Sequence, residues 1–272
     1  MQVDGPLLLV GCGKMGGALL DGWIEQGLPP GQAFLIEPAA ESVQRFVEAG
    51  ARHVKDGSEL PADLQPGVVL LAVKPQYMDA ALGPVKRFAR PGTLFLSIAA
   101  GRTLASFAER LGGDLQMVRA MPNTPAAVGR GMSVLVAGDR TTPAQRALAE
   151  SLMAAVGETA WVDEEGLLDV VTAVSGGGPA YVFLLAEVLA EAGRANGLSA
   201  ELAARLARVT VAGSGELLHR ASETPAELRR NVTSPAGTTL EALKVLMAED
   251  ALQPLMTRAI AAATRRSREL AG

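Results

Sequence analysis

The sequence predicts an α/β protein: an N-terminal Rossmann-type doubly wound sheet followed by an all-helical C-terminal dimerisation domain. Three observations carry this. Short, continuously apolar runs alternate with helical segments through the first half, the pattern of a parallel sheet covered on both faces. A glycine turn, Gly11-x-Gly13-x-x-Gly16, follows the first run and opens the first helix. After about residue 161 the strand signals stop. Residues 1–160 are therefore expected to form the sheet domain and 161–272 the helical one, with the junction near 158–163.

The expected strands are 6–11, 33–37, 68–73, 93–98 and 117–121, with 132–138 as a late strand toward the sheet edge. Helical compositions fill roughly 14–27, 41–49, 77–88 and 103–111. "TTPAQRALAESLMAAVG" is a marked helix, with Thr142 as N-cap, Pro143 at the first position, Gln145 closing a capping box and Gly157 at the end. Beyond it, 163–173, 180–196, 200–220, 225–231, 239–248 and 250–270 read as helices, with Ser199 and Thr224 to Glu227 as start signals. Helix 180–192 is apolar nearly all round and has to be covered on every side. Gly213 and Gly215 offer close backbone approach. Roughly 110 residues provide little cover, so this domain is expected to complete its core by forming a homo-oligomer.

Composition narrows the function. At 272 residues and 28.1 kDa the chain suits two modest domains. With 49% hydrophobic and 20% charged residues it reads as globular rather than disordered. A net charge of −4 argues against a nucleic-acid partner. The one basic cluster, Arg265, Arg266 and Arg268, suits a helix C-terminus. The single cysteine, Cys12, suits a reducing cytoplasm. The start "MQVDGPLLLVG" does not read as a signal peptide, and the longest apolar stretch, "PAYVFLLAEVLAEAG", is broken by Glu187 and Glu191 and too short for a membrane span. The expectation is a cytoplasmic protein with a small-molecule substrate, no membrane partner and no metal.

"LLLVGCGKMGGALL" supplies the first motif. Gly11 allows the tight turn, Gly13 lets the backbone approach a pyrophosphate, and Gly16 permits close helix–sheet packing. The phosphates would rest on the helix start at Lys14 and Met15, where free N–H groups and the dipole favour negative charge. Glu37 ends the second strand 21 residues past Gly16, placed for ribose hydroxyls. A carboxylate there accepts both hydroxyls of NAD but repels a 2′-phosphate. The only cation in the following "PAAESVQR" is Arg45, most of a helix away. Hence NADH is expected to serve at least as well as NADPH. Cys12 reads as a small loop residue, since no resolving cysteine or nearby histidine accompanies it.

Ligands of a doubly wound sheet bind outside the carboxyl ends of its strands. Those ends are "AVKPQ" (72–76), "SIAAG" (97–101) and "AMPNTP" (120–125). Taken singly, each is an ordinary loop, and Lys74-Pro75 serves equally as a strand terminator. The two prolines around Asn123 make a rigid turn that could offer it to the nicotinamide side. In the second half, "VSGGGPAYVF" puts Ser175 and Gly176 before the apolar helix. "SPAGTTLEAL" repeats the design with Ser234, Gly237, Thr238 and Thr239. Thr238 and Glu241 spell a capping box, so Thr238 is expected as N-cap, leaving the Thr239 hydroxyl free at the first helical position. Small residues around free first-turn N–H groups make a receptor for a carboxylate.

With "GCGKMGGAL", "AVKPQ", "SIAAG", "RAMPNTPAAVG", "VSGGGPAYVF" and "NVTSPAGTTLEAL" in this order and spacing, the chain resembles the pyrroline-5-carboxylate reductases of proline biosynthesis nearly end to end. The resemblance implies a helical domain that interlocks with a partner's into homodimers, often larger rings of dimers. It also implies a site between the domains, where NADPH or NADH reduces 1-pyrroline-5-carboxylate to L-proline. The substrate loop maps onto Ser234, Gly237, Thr238 and Thr239, with Thr239 near the ring nitrogen as the catalytic hydroxyl. Ser175 and Gly176 join it as substrate-binding candidates. The nicotinamide side maps onto Val73, Lys74, Pro75, Met121, Pro122 and Asn123. Two residues depart from the family's pattern: Ala236 stands where Gly is usual, and Gly177 replaces the Ser of SGSGP.

The residues also suit the reaction. An alcohol dehydrogenase needs a general base, commonly His, Lys or Tyr. Here there are two histidines, His53 and His219, two tyrosines, and five lysines, none of them between 87 and 243. A cyclic imine is protonated far more easily than a carbonyl and asks only for positioning and a hydrogen bond. Both histidines therefore read as surface or interface residues. The missing lysine argues against a β-hydroxyacid dehydrogenase, and the second, carboxylate-sized loop argues against a sensor that binds NAD without turnover.

Overall fold

Alternation across the pleat explains why the early apolar runs contain no polar residue. In the computed structural model, which describes residues 3–113 and 115–271, the order is β1 (Leu7–Val10), α1 (Lys14–Glu25), β2 (Ala33–Ile36), α2 (Ala40–Glu48), β3 (Arg52–Val54), β4 (Val68–Leu71), α3 (Met78–Val85), β5 (Leu94–Ser97), α4 (Leu104–Leu111) and β6 (Met117–Met121). β7 (Gly131–Ala137), α5 (Pro143–Ala154) and β8 (Gly157–Trp161) follow. Leu7 and Leu9 enter one core layer with Leu19, Leu20, Trp23 and Leu152. Leu8 and Val10 enter the other with Met78, Leu82, Val85 and Phe107. Successive residues of a strand face opposite sides, so a strand with helices on both has to be apolar throughout. Fully burying each such leucine contributes about 1.5–3 kcal/mol. Trp23, fully buried, donates its indole N–H to the Leu152 carbonyl at 2.7 Å, so the layer carries no unpaired polar atom there.

The sheet order is β3-β2-β1-β4-β5-β6-β7-β8. Every pair is parallel except β6 with β7. Chain direction across the sheet reverses between β1 and β4, which makes their carboxyl ends the switch point where ligands bind. Two strands escape the sequence pattern. β3 is three residues, "RHV", and β8 is "GETAW", half-exposed and too polar to read as a strand. β8 therefore forms the edge, and β7 lies one strand inside it. Thr142 and Gln145 form the expected capping box on α5, but the helix ends at Ala154 and Gly157 opens β8 instead.

The sheet ends at Trp161, but the first of two compact units runs on to residue 176 and takes in the tail from 263. Helix α6 (Leu167–Val171) buries Leu168 against Met121, Val134 and Val136, then widens into a π turn over 172–176. The buried Ser267 donates to Asp169 Oδ1 at 2.6 Å, tying the tail to α6.

The second unit, 177–262, contains α7 (Gly178–Ala195), α8 (Ala200–Arg220), α9 (Pro225–Asn231), α10 (Thr238–Leu246) and the start of α11 (Leu252–Ala271). Ser199 and Thr224 cap α8 and α9 as their sequence signals require. Among its described residues only Ala203 and Ala207 are buried. Phe183 is 64% exposed, and Val182, Leu184, Leu185, Val188 and Leu189 stand open beside it. Counted through the π turn, the helical stretch Leu167–Ala195 is 29 residues and apolar enough to meet the length of a membrane span, longer than the run visible in sequence. Its exposed apolar face equally suits another helix.

Gly157 and Gly129 give contrasting tests of this packing. A Cβ on Gly157 (φ +151°) would lie 2.0 Å from the Gly131 carbonyl oxygen, so Gly157→Ala is expected to destabilise by more than about 2 kcal/mol in thermal denaturation. Gly129 (φ +66°) has open space around its Cβ position, and Gly129→Ala should cost only the left-handed backbone term of about 1–2 kcal/mol.

Candidate active site

At the end of β1 the backbone of Gly11 takes φ +90° and donates its N–H to the Ile36 carbonyl at 2.9 Å. A Cβ there would strike Val73 Cγ1 at 2.8 Å, and one on Gly16 would lie 2.4 Å from the Gly11 carbonyl oxygen. Gly13 behaves oppositely: nothing lies within 4 Å of its Cβ position. It is the N-cap of α1, where no side chain caps the helix and no acid occupies the first turn. An uncapped helix end beside open space fits a pyrophosphate. Thus Gly11, Gly13, Lys14, Met15 and Gly16 share one turn, with Val73 against it.

Glu37 follows β2. Its Oε2 accepts from the Cys12 N–H at 2.8 Å and its Oε1 from the Ala39 N–H at 3.0 Å. The carboxylate is thereby fixed at the mouth of the glycine turn. His53 is half-buried, with Nε2 2.7 Å from the Glu37 carbonyl oxygen, so it braces β3 against β2. A cleft of about 690 Å³ opens beside the turn, lined by Gly13, Lys14, Ser42 and Arg45 among others. Arg45, expected to be remote, reaches this cleft because α1 and α2 lie together on one face of the sheet. Its guanidinium pairs with Asp21 and stacks over Phe46 at 4.5 Å. Burial, and next the Glu37 charge, push the Cys12 thiol up to about 12, so it stays protonated.

Lys74 precedes a 3₁₀ turn, Pro75–Tyr77, whose Pro75 carbonyl accepts from Arg102 at 3.2 Å. Met121 ends β6, and Pro122 carries the chain to Asn123, the cap position of the turn 124–128. Asn123 Oδ1 accepts from the Met132 N–H at 2.9 Å, and its Nδ2 donates to Ser175 Oγ at 3.1 Å. The Cβ position of Gly176 is 3.8 Å from Met121 Sδ. Met121, Asn123, Ser175 and Gly176 therefore form one cluster. Sequence reasoning missed a pair beneath it: Arg119, buried in β6, bonds Glu165, whose Oε1 also accepts from the Leu104 N–H at 2.7 Å. An arginine inside the apolar strand "MVRAM" is the available signal, since such a charge requires a partner.

In the second unit, Gly237 closes a turn by donating its N–H to the Ser234 carbonyl at 3.1 Å. Ala236 stands at φ +57°, alone among described non-glycine residues in the left-handed region. A Cβ on Gly237 would lie 2.3 Å from Ser234 Oγ, which accounts for glycine there. One expectation is corrected. Gly237, not Thr238, is the N-cap of α10, because its carbonyl already accepts from the Leu240 and Glu241 N–H groups. Glu241 reaches Lys244 Nζ at 2.7 Å rather than back to the cap. Thr238 and Thr239 occupy the first two helical positions, and no side chain caps the helix. The result is a helix end flanked by three hydroxyls, Ser234, Thr238 and Thr239, suited to an anion. Among the described residues no group of His, Cys, Asp or Glu has the makings of a metal site.

Comparisons with known proteins cover both units. The family "Pyrroline-5-carboxylate reductase dimerisation" matches residues 165–270, and the family "NADP oxidoreductase coenzyme F420-dependent" matches 7–101. The structure of a pyrroline-5-carboxylate reductase from Coxiella burnetii superposes with a TM-score of 0.91 at 34% identity, covering 98% of this chain and 99% of that one. The Plasmodium falciparum pyrroline carboxylate reductase with NADP bound gives 0.82 at 27% identity over the whole of both chains. The pyrroline-5-carboxylate reductase of Pseudomonas aeruginosa is 41% identical over 97% of this chain and 96% of its own length. With agreement of that depth from end to end, the chain belongs to the pyrroline-5-carboxylate reductase family.

Proposed function

We propose that this chain reduces 1-pyrroline-5-carboxylate to L-proline, with NADPH or NADH as the reductant. One observation carries the reading: the chain builds two helix starts without a side-chain cap, one glycine-lined and one hydroxyl-lined. The dinucleotide, when bound, supplies the hydride that ends on the imine carbon. Gly11, Gly13, Lys14, Met15 and Gly16 hold its phosphates and Glu37 its ribose, while Val73, Lys74, Pro75, Met121, Pro122 and Asn123 line the nicotinamide end.

The helical segment 161–272 supplies the substrate's seat. Ser234, Gly237 and Thr238 hold the carboxylate through a hydroxyl, a backbone amide and the positive end of α10. The Thr239 hydroxyl hydrogen-bonds the ring nitrogen and relays to it, from solvent, the proton that makes the iminium, which the hydride then reduces to the amine. A neutral hydroxyl suffices because the imine nitrogen is basic enough to carry the proton before the hydride arrives.

NADH serves at least as well as NADPH in this reading. Glu37 repels a 2′-phosphate, and Arg45, which lines the same cleft, is already paired with Asp21. A second copy of the chain covers the open apolar face of α7, a reading supported by the dimerisation family matched over this segment. Such a homodimer, or ring of dimers, would function in the cytoplasm.

Steady-state reduction of the imine with NADH and NADPH in parallel tests the reading. Turnover is expected with both, and a kcat/KM markedly higher for NADPH would overturn the role given to Glu37. Thr239→Val should lower kcat about tenfold or more, the loss of one strengthened hydrogen bond, with dinucleotide affinity intact. An unchanged kcat removes Thr239 from the reaction. Leu185→Glu, which places a charge on the open face of α7, should halve the mass measured by light scattering; an unaltered mass would locate the interface elsewhere.

A further inference from the structure

Asn123 has both ends of its amide engaged. The Met132 N–H can only donate, so the atom 2.9 Å from it is the amide oxygen, and the NH₂ end faces Ser175 Oγ at 3.1 Å. A serine hydroxyl has one proton and two lone pairs. Once it receives the amide N–H, its proton is left to be given to an acceptor outside this pair. Ser175 also sits in the π turn 172–176, a deviation from α-helix that recurs at functional sites. Gly176 packs that turn against Met121, so the turn and the end of β6 are registered to each other.

The geometry points to Asn123 as a positioning residue, which turns the Ser175 hydroxyl into a fixed hydrogen-bond donor for the carboxylate of the substrate. This rests on the reaction proposed above and assigns a new role in it. A carboxylate accepts and cannot donate, whereas an unrestrained hydroxyl spends its proton on water or a backbone carbonyl. Asn123 removes that freedom before the substrate arrives, so the bond forms without the cost of ordering the rotor.

Asn123→Asp isolates the effect. An aspartate oxygen still accepts from the Met132 N–H, but its other oxygen accepts from Ser175 instead of donating to it, and the serine proton is consumed. The KM for the imine should rise about tenfold, the value of one hydrogen bond to a charged group, a larger factor than any change in kcat. Ser175→Ala should give the same rise, and the double variant no more than either single one. Thermal melting alongside separates this from unfolding, and Ser175→Ala carries the test alone if Asn123→Asp does not fold. A normal imine KM in either single variant overturns the proposal. So does an Asn123→Asp effect that persists in full on the Ser175→Ala background, since that would be repulsion between two negative charges. Failure of the reaction itself would show differently, as no imine reduction by the unsubstituted protein.

Discussion

The contact between Gly16 and the Gly11 carbonyl is the constraint on which the cofactor end of this protein depends. At 2.4 Å from a would-be Cβ to that oxygen, no other residue fits without moving α1 off the sheet. Moving α1 would carry its uncapped start away from the end of β1, and with it the Cys12 N–H that holds Glu37. It would also open the space that Val73 closes beside Gly11. The proposed phosphate seat, the carboxylate proposed for the ribose and Val73 are thus set by one close approach. Gly13, two residues from Gly11, has the opposite duty of leaving space empty.

The sheet was legible in sequence wherever burial on both faces forced continuous apolar runs, as in "LLLV" and "VVLL". It was illegible where a strand lies at an edge. β3 and β8 bury little, so nothing forbids Arg52, Glu158 or Thr159 there, and their strand character comes from pairing with a neighbour that sequence alone does not display. The start of α10 failed for another reason. Thr238 and Glu241 spell a capping box, but the turn through Ala236 delivers the Gly237 carbonyl to the helix one residue early. Motif chemistry proposes a cap, and backbone geometry decides it.

Site residues divide the same way. Those whose role is backbone approach at the glycine turn were readable, because glycine is a sequence property, whereas the uncapped start of α10 was hidden behind a capping-box motif that the backbone does not use. Those whose role is a long-range side-chain bond were not readable. Arg119 with Glu165, and Asn123 with Ser175, lie 46 and 52 residues apart, and only the fold brings each pair together. Arg45 belongs with them: remote along α2, it reaches the glycine turn because two helices share one face of the sheet.

Charge placement carries the chemistry one step further. The proposed carboxylate seat relies on partial charges, namely amide N–H groups and hydroxyls, and the thiol beside the glycine turn is held neutral by burial and by Glu37. A full positive charge would bind the carboxylate more tightly. It would also disfavour the protonated iminium that has to form beside it, since like charges raise each other's cost of ionisation. Neutral donors hold the substrate's anion and leave the ring nitrogen free to carry its proton. On that argument the absence of lysine and histidine from the stretch 234–239 suits imine reduction, because it lets the substrate's own nitrogen serve as the positive centre toward which hydride moves.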